Sequence, residues 1–285
     1  MTNTILVPVD GSDKDARALA VAADLAQLAD ASVLVVRVRR DDLASHESRS
    51  GMLNTMREST AVPALRAPRG VTYEVLDGDD VPNVLLSRAD SSKATAVVMA
   101  TRAPQAVDRA IHGSVADRVV REGTRPVVLV PPRADYMRDR AVTLRRGLVA
   151  VDGLATALSV TAHLLALPNA HDLNLVLLQV VPPEPNHEAA KQAEQALGSL
   201  VEQARERSVM VEVRVVEAQH PPTVIVAAVR QDLVDFIAMS SRGARGVTRT
   251  VFGSVATAVV RASEVPVFLI TPNVPTPTSP RVKSH

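Results

Sequence analysis

The sequence predicts an α/β protein made of two tandem copies of one doubly wound domain, each with a five-stranded parallel sheet. Short apolar runs of strand length alternate with segments of helical periodicity along the 285 residues, which is typical of parallel sheets with helical crossovers. Residues 112–130 align without gaps on residues 252–270, and ten of the nineteen positions are identical. A repeat of this length indicates two copies of one domain rather than a solenoid. Aromatic residues make up only 2% of the chain, so the cores must be built from aliphatic side chains.

The first copy is predicted to contain five strands and the helices between them. The strands are expected at residues 5–9, 33–38, 71–75, 95–100 and 126–130. Ser12 and Asp15 resemble a capping box in which Asp replaces the usual Glu or Gln, so a helix is expected to follow the first strand. Residues 41–70 are polar with scattered apolar positions and are predicted to hold a helix between loops. Another helix is expected to begin at Ser114.

The second copy repeats this order and sets the domain boundaries. Its strands are expected at residues 147–151, 173–181, 209–216, 236–239 and 266–270. An amphipathic helix is predicted between Ala193 and Ala204. We therefore expect one domain at residues 1–133, a charged linker at 134–146 and a second domain at 147–273. A tail rich in Pro, Ser and Thr, residues 274–285, is expected to be disordered.

Composition and charge narrow the classes of function. The formal net charge is +1, so no bulk field favours nucleic acid or a membrane surface as a partner. The absence of cysteine excludes disulfides and thiol chemistry, and the seven histidines form no cluster with metal-ligand spacing. No apolar run approaches the roughly 18 residues of a membrane span, and the first residues lack a basic leader region. A cytoplasmic protein without a metal site of its own is expected.

The clearest candidate site lies in residues 240–270. A strand ends near Met239, a loop rich in Gly and Arg follows, and Gly253 and Ser254 precede a helix. Glycines let backbone amides approach a ligand closely, and the helix start offers free N–H groups and a positive dipole end, so the stretch suits a phosphate. Ser254 can either cap the helix or turn its hydroxyl toward the ligand. The same glycines could instead serve only a tight turn and a helix cap.

These residues resemble the universal stress protein family. The first strand of that family reads roughly ILVPVDGS, and residues 5–12 repeat it almost unchanged. The nucleotide signature of the family is Gly, two residues, Gly, nine residues, then Gly and Ser or Thr. The second copy matches it with Ser240, Gly243, Gly253 and Ser254, so that only the first glycine is replaced.

The first copy departs further from the signature. Ala100 and Ala103 stand at the two leading glycine positions, ahead of Gly113 and Ser114. The two alanines place methyl groups where the backbone should approach phosphate, and Pro104 removes an amide donor. The first copy is therefore expected to be the weaker site, although it keeps the better match to the Asp-Gly-Ser that follows the first strand.

The resemblance implies a fold and an assembly. The family sheet has the strand order 3-2-1-4-5, which puts the reversal of winding between strands 1 and 4, where ligands of open α/β sheets bind. Family members also pair through their last strands. A tandem chain is thus expected to form an internal pseudo-dimer through residues 126–130 and 266–270, and further homodimerisation stays open.

The resemblance also implies candidate nucleotide-binding residues. In nucleotide-binding members, a residue after strand 1 lies beside the ribose or adenine, one at the end of strand 2 contacts adenine, and the glycine loop and helix start hold the phosphates. The candidates of the second copy, the main expected site, are Asp152, Val180, Ser240, Arg242, Gly243, Arg245, Gly246, Gly253, Ser254 and Val255. Those of the first copy are Asp10, Gly11, Val38, Ala100, Gly113, Ser114 and Val115.

The function implied by the resemblance is binding of ATP or a related adenine nucleotide, which could carry Mg²⁺, in a stress-response module without substantial turnover. The lost glycines leave open a scaffold that binds no nucleotide, dimerises and acts through an unidentified protein partner. Slow ATP hydrolysis is the third hypothesis. The sequence argues against an efficient hydrolase, because it has no GxxxxGK[ST] loop and no lysine in either candidate loop.

Overall fold

Two parallel five-stranded sheets join edge to edge in this protein and form one ten-stranded sheet. The computed structural model describes residues 3–40, 48–59, 67–101, 114–132, 143–241 and 253–277. The first half contains β1 (Asn3–Pro8), α1 (Asp15–Ala29), β2 (Ala31–Arg39), α2 (Arg49–Ser59), β3 (Val71–Asp77), α3 (Val81–Ser91), β4 (Ala96–Ala100), α4 (Ser114–Glu122) and β5 (Val127–Val130). The second half contains β6 (Arg146–Val151), α5 (Leu154–Leu165), β7 (Asn174–Val181), α6 (Glu188–Arg205), β8 (Met210–Glu217), α7 (Pro221–Gln231), β9 (Phe236–Ser240), α8 (Ser254–Ala262) and β10 (Val267–Ile270).

The strand order confirms the predicted topology. The sheet runs β3-β2-β1-β4-β5-β10-β9-β6-β7-β8, so each half has the order 3-2-1-4-5 and parallel pairing. The two halves meet where β5 and β10 pair in antiparallel orientation, with Val128 opposite Phe268. The expected pseudo-dimer through the last strands is therefore present within one chain.

The ten strands lie where apolar patterning predicted them, with ends that differ by one or two residues, whereas helix α5 was not predicted. The middle strands are continuous Val, Leu, Ile and Ala runs because helices cover both of their faces. The predicted helix within residues 41–70 corresponds to α2, which is much shorter than that stretch. Helix α3 begins after Asp80, whose carboxylate accepts a hydrogen bond from the Asn83 amide at 3.3 Å.

Two apolar cores, one on each face of the sheet, run through both halves. Helices α1, α2, α5 and α6 cover one face, and α3, α4, α7 and α8 cover the other. Val128 and Phe268 belong to the first core, whereas Val127 and Leu269 belong to the second. Because both cores continue across the β5–β10 junction, the halves are packed as one body of aliphatic side chains.

The turn after β1 differs from the predicted capping box. Helix α1 begins at Asp15 with Lys14, not Ser12, at the N-cap position. The Asp15 carboxylate accepts hydrogen bonds from the amides of Gly11 at 2.8 Å and Asp10 at 3.2 Å. The capping box centred on Ser12 was therefore wrong, since the carboxylate reaches further back and holds the turn itself.

Gly147 in β6 makes room for an aromatic ring from β9. A Cβ atom at Gly147 would lie 2.3 Å from Cζ of Phe236, whose ring centre is 4.9 Å from that of Phe268. The corresponding residues of the first half are Ile5 and Ala96. The larger side chain of each pair is thus Ile5 of β1 in the first half and Phe236 of β9 in the second half.

The C-terminal segment packs beyond the predicted end of the second domain at residue 273. Val274 is buried, and its amide donates to the Thr271 carbonyl at 3.0 Å. The Asn273 side chain donates to the Arg121 carbonyl at the end of α4. None of the helices in the described ranges is long and apolar enough to cross a bilayer.

Candidate functional site

A cavity of about 200 Å³ opens at the carboxyl edge of the second half of the sheet. It lies where β6 separates β7 from β9, which is where the winding of this half reverses. Its lining comprises Ala150, Val151, Asp152, Thr156, Leu178, Val180, Pro221, Ile225, Met239, Ser240, Ser241, Gly253, Ser254, Val255 and Ala256. We call it the β6 pocket.

One side of the β6 pocket is an apolar slot. Leu178 and Val180 come from β7, Pro221 and Ile225 from α7, and Met239 from β9. An engineered cavity of ~150 Å³ binds benzene, so about 200 Å³ suits a flat ring system somewhat larger than benzene. The slot therefore fits a heterocyclic base, with the more polar parts of a ligand at the mouth.

The start of α8 forms the polar side of the pocket. Gly253 is the N-cap residue, and no side chain in the described structure caps this helix end. The Gly253 amide donates to the Ser241 carbonyl at 2.8 Å, and its carbonyl accepts from the Thr257 amide at 3.0 Å. The next amides, those of Ser254 and Val255, belong to the first helical turn, whose N–H groups have no partner within a helix. This end can therefore accept an anion.

Ser254 occupies the first helical position rather than the N-cap. Of the two roles predicted for it, helix capping is excluded. Its side chain is exposed at the pocket, where it can face a ligand.

Ser241 supplies a buried hydroxyl at the same place. The residue is 1% exposed, and its Oγ has no hydrogen-bond partner among the described residues. Its amide donates to the Ile270 carbonyl at 3.0 Å, which fixes the backbone at the end of β9. In the first half the corresponding hydroxyl, that of Thr101, donates to the Val130 carbonyl at 3.1 Å. Because an unpaired buried polar group costs about 1–3 kcal/mol, a ligand acceptor here would recover free energy.

Asp152 follows β6 and is held by the first turn of α5. The Thr156 hydroxyl lies 2.6 Å from Asp152 Oδ1 and 2.9 Å from the Gly153 carbonyl oxygen. The Asp152 amide in turn donates to the Thr156 oxygen at 3.3 Å. This arrangement fixes the direction of an exposed carboxylate, which has lone pairs enough to accept hydrogen bonds from a ligand as well.

The β6 pocket brings together six of the ten residues predicted for the second half. These are Asp152, Val180, Ser240, Gly253, Ser254 and Val255. The other four, Arg242, Gly243, Arg245 and Gly246, lie outside the described residues.

In the first half, Asp10 and Gly11 form the turn after β1. Gly11 has φ of +86°, which a residue with a side chain rarely adopts, and the Arg37 guanidinium lies close to it. Burial raises the pKa of Asp15 to about 6; the Gly11 amide opposes this shift, and the neighbouring Asp10 charge adds to it. The carboxyl group that holds this turn thus has a pKa well above the usual range of Asp.

The remaining candidates of the first half lie at the same edge of the sheet. Val38 belongs to β2, Ala100 is the last residue of β4, and Ser114 and Val115 begin α4. Gly113 lies outside the described residues.

Sequence reasoning missed the other lining residues of the pocket, of which Ser241, Thr156 and Pro221 are the ones that bear on ligand binding. Thr156 lies four residues after Asp152, which is the spacing of neighbours at a helix start, and could have been found from that signal. Ser241 directly follows a signature position. Pro221 at the start of α7 comes from a distant part of the chain, and no local pattern links it to the site. The described residues hold no group of three or more His, Asp or Glu placed to bind a metal ion.

Comparison with known proteins agrees with the fold. The model of the universal stress protein family matches the chain twice, at residues 1–131 and 143–271. Universal stress protein YxiE of Bacillus subtilis is 26% identical over 147 residues, which cover 46% of this chain and 99% of the relative. A crystal structure of a universal stress protein from Archaeoglobus fulgidus DSM 4304 is 21% identical, with a TM-score of 0.66 over 95% of this chain and 99% of that one.

A shorter universal stress protein from Archaeoglobus fulgidus was solved in complex with dAMP; it is 26% identical and covers 45% of this chain and 96% of its own, with a TM-score of 0.32. That score is too low to say anything about the ligand of this chain. The two family matches cover both halves of the described fold, and the chain therefore belongs to the universal stress protein family, with two copies of the family domain in tandem.

Proposed function

We propose that the second half binds ATP or a related adenine nucleotide and acts as a regulatory module without substantial turnover. The observation that carries this proposal is the buried Ser241 hydroxyl, which has no partner in the described structure and lies beside an uncapped helix start. The Ser241 hydroxyl and the first amides of α8 can therefore both donate hydrogen bonds to a ligand in this pocket, and a phosphate or ribose oxygen can accept them.

The shape of the β6 pocket supports an adenine nucleotide rather than a free phosphate. The slot between Val180 and Ile225 takes the base, and the carboxylate of Asp152 stands where a ribose hydroxyl can donate to it. The phosphates then lie at the start of α8, whose dipole and free amides favour negative charge. Any Mg²⁺ would arrive with the phosphates, since no cluster of three acidic or histidine side chains is present in the described residues to hold it.

The residues of the site favour binding over catalysis. Among the described lining residues the only carboxylate belongs to Asp152, which is directed by Thr156 at the ribose end of the slot. No lysine occurs anywhere in the stretch from residue 240 to 254. A group that transfers a proton must lie within hydrogen-bond reach of the reacting atom, and this carboxylate lies at the end opposite the phosphates.

The test is to count the nucleotide released from purified, denatured protein and to titrate the protein calorimetrically with ATP and Mg²⁺. A Gly253→Asp variant places a carboxylate at the phosphate position and should abolish binding through repulsion and lost space. Gly113→Asp, the corresponding change in the first half, is the matched control and should leave one nucleotide per chain. Binding that survives Gly253→Asp but fails in Gly113→Asp would refute the assignment to the second half.

A scaffold that binds no nucleotide remains the alternative, and one observation favours it. Ala100, Ala103 and Ser240 replace three of the four leading glycines of the family signature, and a side chain there hinders the close approach of the backbone to a phosphate. Absence of released nucleotide, together with no heat on titration, would make this alternative the better description.

A further inference from the structure

A second cavity, of about 290 Å³, lies between the two halves on the face of the sheet that α1 and α5 cover, whereas the apolar slot of the β6 pocket lies on the opposite face. It opens at the amino-terminal edge of β4 and β5, near the carboxyl end of β10. Since β10 runs antiparallel to β5, the amino-terminal end of β5 lies beside the carboxyl-terminal end of β10 at this edge of the sheet. We call it the junction cavity.

The walls of the junction cavity are apolar and come from both halves. Leu25 of α1 faces it from the first half, and Leu164 of α5 with Phe268 and Ile270 of β10 face it from the second. The C-terminal segment closes one side, where Val274 is buried. A ligand with an apolar body can therefore be enclosed there.

A histidine of α5 contacts the C-terminal segment beside the cavity. His163 Nε2 lies 3.2 Å from the Pro275 carbonyl oxygen, and its Nδ1 lies 2.7 Å from the Ser159 carbonyl oxygen one turn earlier in α5. A neutral imidazole has one N–H and can donate to one of these two carbonyl oxygens, and in either tautomer the ring lies between this segment and α5.

The charged side chains that line the junction cavity are positive. Lys93 and Arg125 line it, and none of its described lining residues carries a carboxylate. Lys93 has no carboxylate within ion-pair distance in the described part of the chain. Among the described residues, Arg125 contacts one carboxylate, at 3.4 Å from its Nε to Asp90 Oδ1, an oxygen that already accepts from the Thr124 hydroxyl at 2.6 Å. Most of the donors of this guanidinium are therefore open to an anion.

We infer that the junction cavity binds a small organic carboxylate with an apolar body, whose head group meets Lys93 and Arg125. The size agrees, because about 290 Å³ is roughly twice the ~150 Å³ that encloses benzene. Such a ligand would touch both halves and the C-terminal segment at once. The junction cavity shares no lining residue with the β6 pocket, so binding of a carboxylate there does not depend on nucleotide binding.

The test is calorimetric titration of the full chain with octanoate, and with 1-octanol as the uncharged probe of the same chain length. We expect one octanoate per chain and at least tenfold weaker binding of octanol, because a charge-assisted hydrogen bond is lost. Lys93→Met and Arg125→Met should each weaken octanoate binding about tenfold or more. Lys191→Met, which removes an exposed lysine from α6, is the matched control and should bind octanoate like the unchanged protein.

A cavity-filling change separates this site from any other. Ala166→Phe places a ring into the cavity from the end of α5 and should abolish octanoate binding while ATP titration stays unchanged. The inference is wrong if octanoate does not bind, if Ala166→Phe binds it normally, or if octanol binds as tightly. It is also wrong if octanoate binds only after residues 278–285 are removed, since the end of the chain would then be the occupant.

Discussion

Asp15 provides the sharpest quantitative prediction, because its carboxyl group is both buried and required by the turn after β1. The residue is 9% exposed, and its pKa is raised from 3.8 to about 6. At 1.36 kcal/mol per pKa unit, this difference corresponds to a cost of about 3 kcal/mol for keeping the group ionised in the folded protein.

The sign of the pH dependence follows from the raised pKa. The folded state binds more protons than the unfolded state between pH 3.8 and about 6, so the contribution of Asp15 is most favourable below pH 3.8 and is lost as the pH rises through about 6. Between pH 4.5 and 7.5 the free energy of unfolding should fall by about 2 kcal/mol through this group alone.

The perturbation is Asp15→Asn, which removes the titration and keeps a carbonyl oxygen to accept from the Gly11 amide. Urea unfolding of both proteins gives the difference between their free energies of unfolding at each pH. This difference should change by about 2 kcal/mol across the range. Asp13→Asn removes an exposed carboxylate from the same turn and is the matched control for the loss of a charge there. A flat curve for Asp15→Asn would refute the buried-carboxylate reasoning, and a slope of the opposite sign would show that the turn stabilises the charge.

Three further predictions concern packing and the β6 pocket. Gly147→Ala should lower the free energy of unfolding by about 1–3 kcal/mol in a urea titration, because its Cβ would lie 2.3 Å from the Phe236 ring; Phe236→Leu in the same chain should restore part of the loss. Ser241→Ala should weaken ATP binding about tenfold in calorimetry without lowering the stability of the free protein, because the described structure gives its hydroxyl no partner to lose. Thr156→Val should lower stability by about 0.5–1.5 kcal/mol, measured by thermal unfolding, because the Asp152 carboxylate loses a donor.

The fold could be predicted from sequence because local and global signals agree. The apolar runs of β1 and β9, for example, are too short for helices and too continuous for a half-exposed strand, so they indicate a sheet covered on both faces. The internal repeat then fixed the number of domains without any structural information.

The details of the site were harder to predict, since they depend on contacts between distant segments. Nothing next to Ser241 in the sequence shows that its hydroxyl lacks the partner that Thr101 finds in Val130. The capping box failed for a related reason, because the Asp15 side chain could satisfy either the helix start or the preceding turn. Only the path of the backbone at Gly11, with its positive φ, decides between the two.

The pairing of Val128 with Phe268 at the β5–β10 junction shows what joining two domains in one chain permits. In a homodimer with two-fold symmetry, every substitution at the axis appears twice and must be compatible with its own copy. Here the two sides of the junction are encoded separately, so a ring on one strand can be met by a smaller side chain on the other. Placing both halves in one chain thereby releases the interface from self-complementarity, so that one side of the junction can change without the same change on the other.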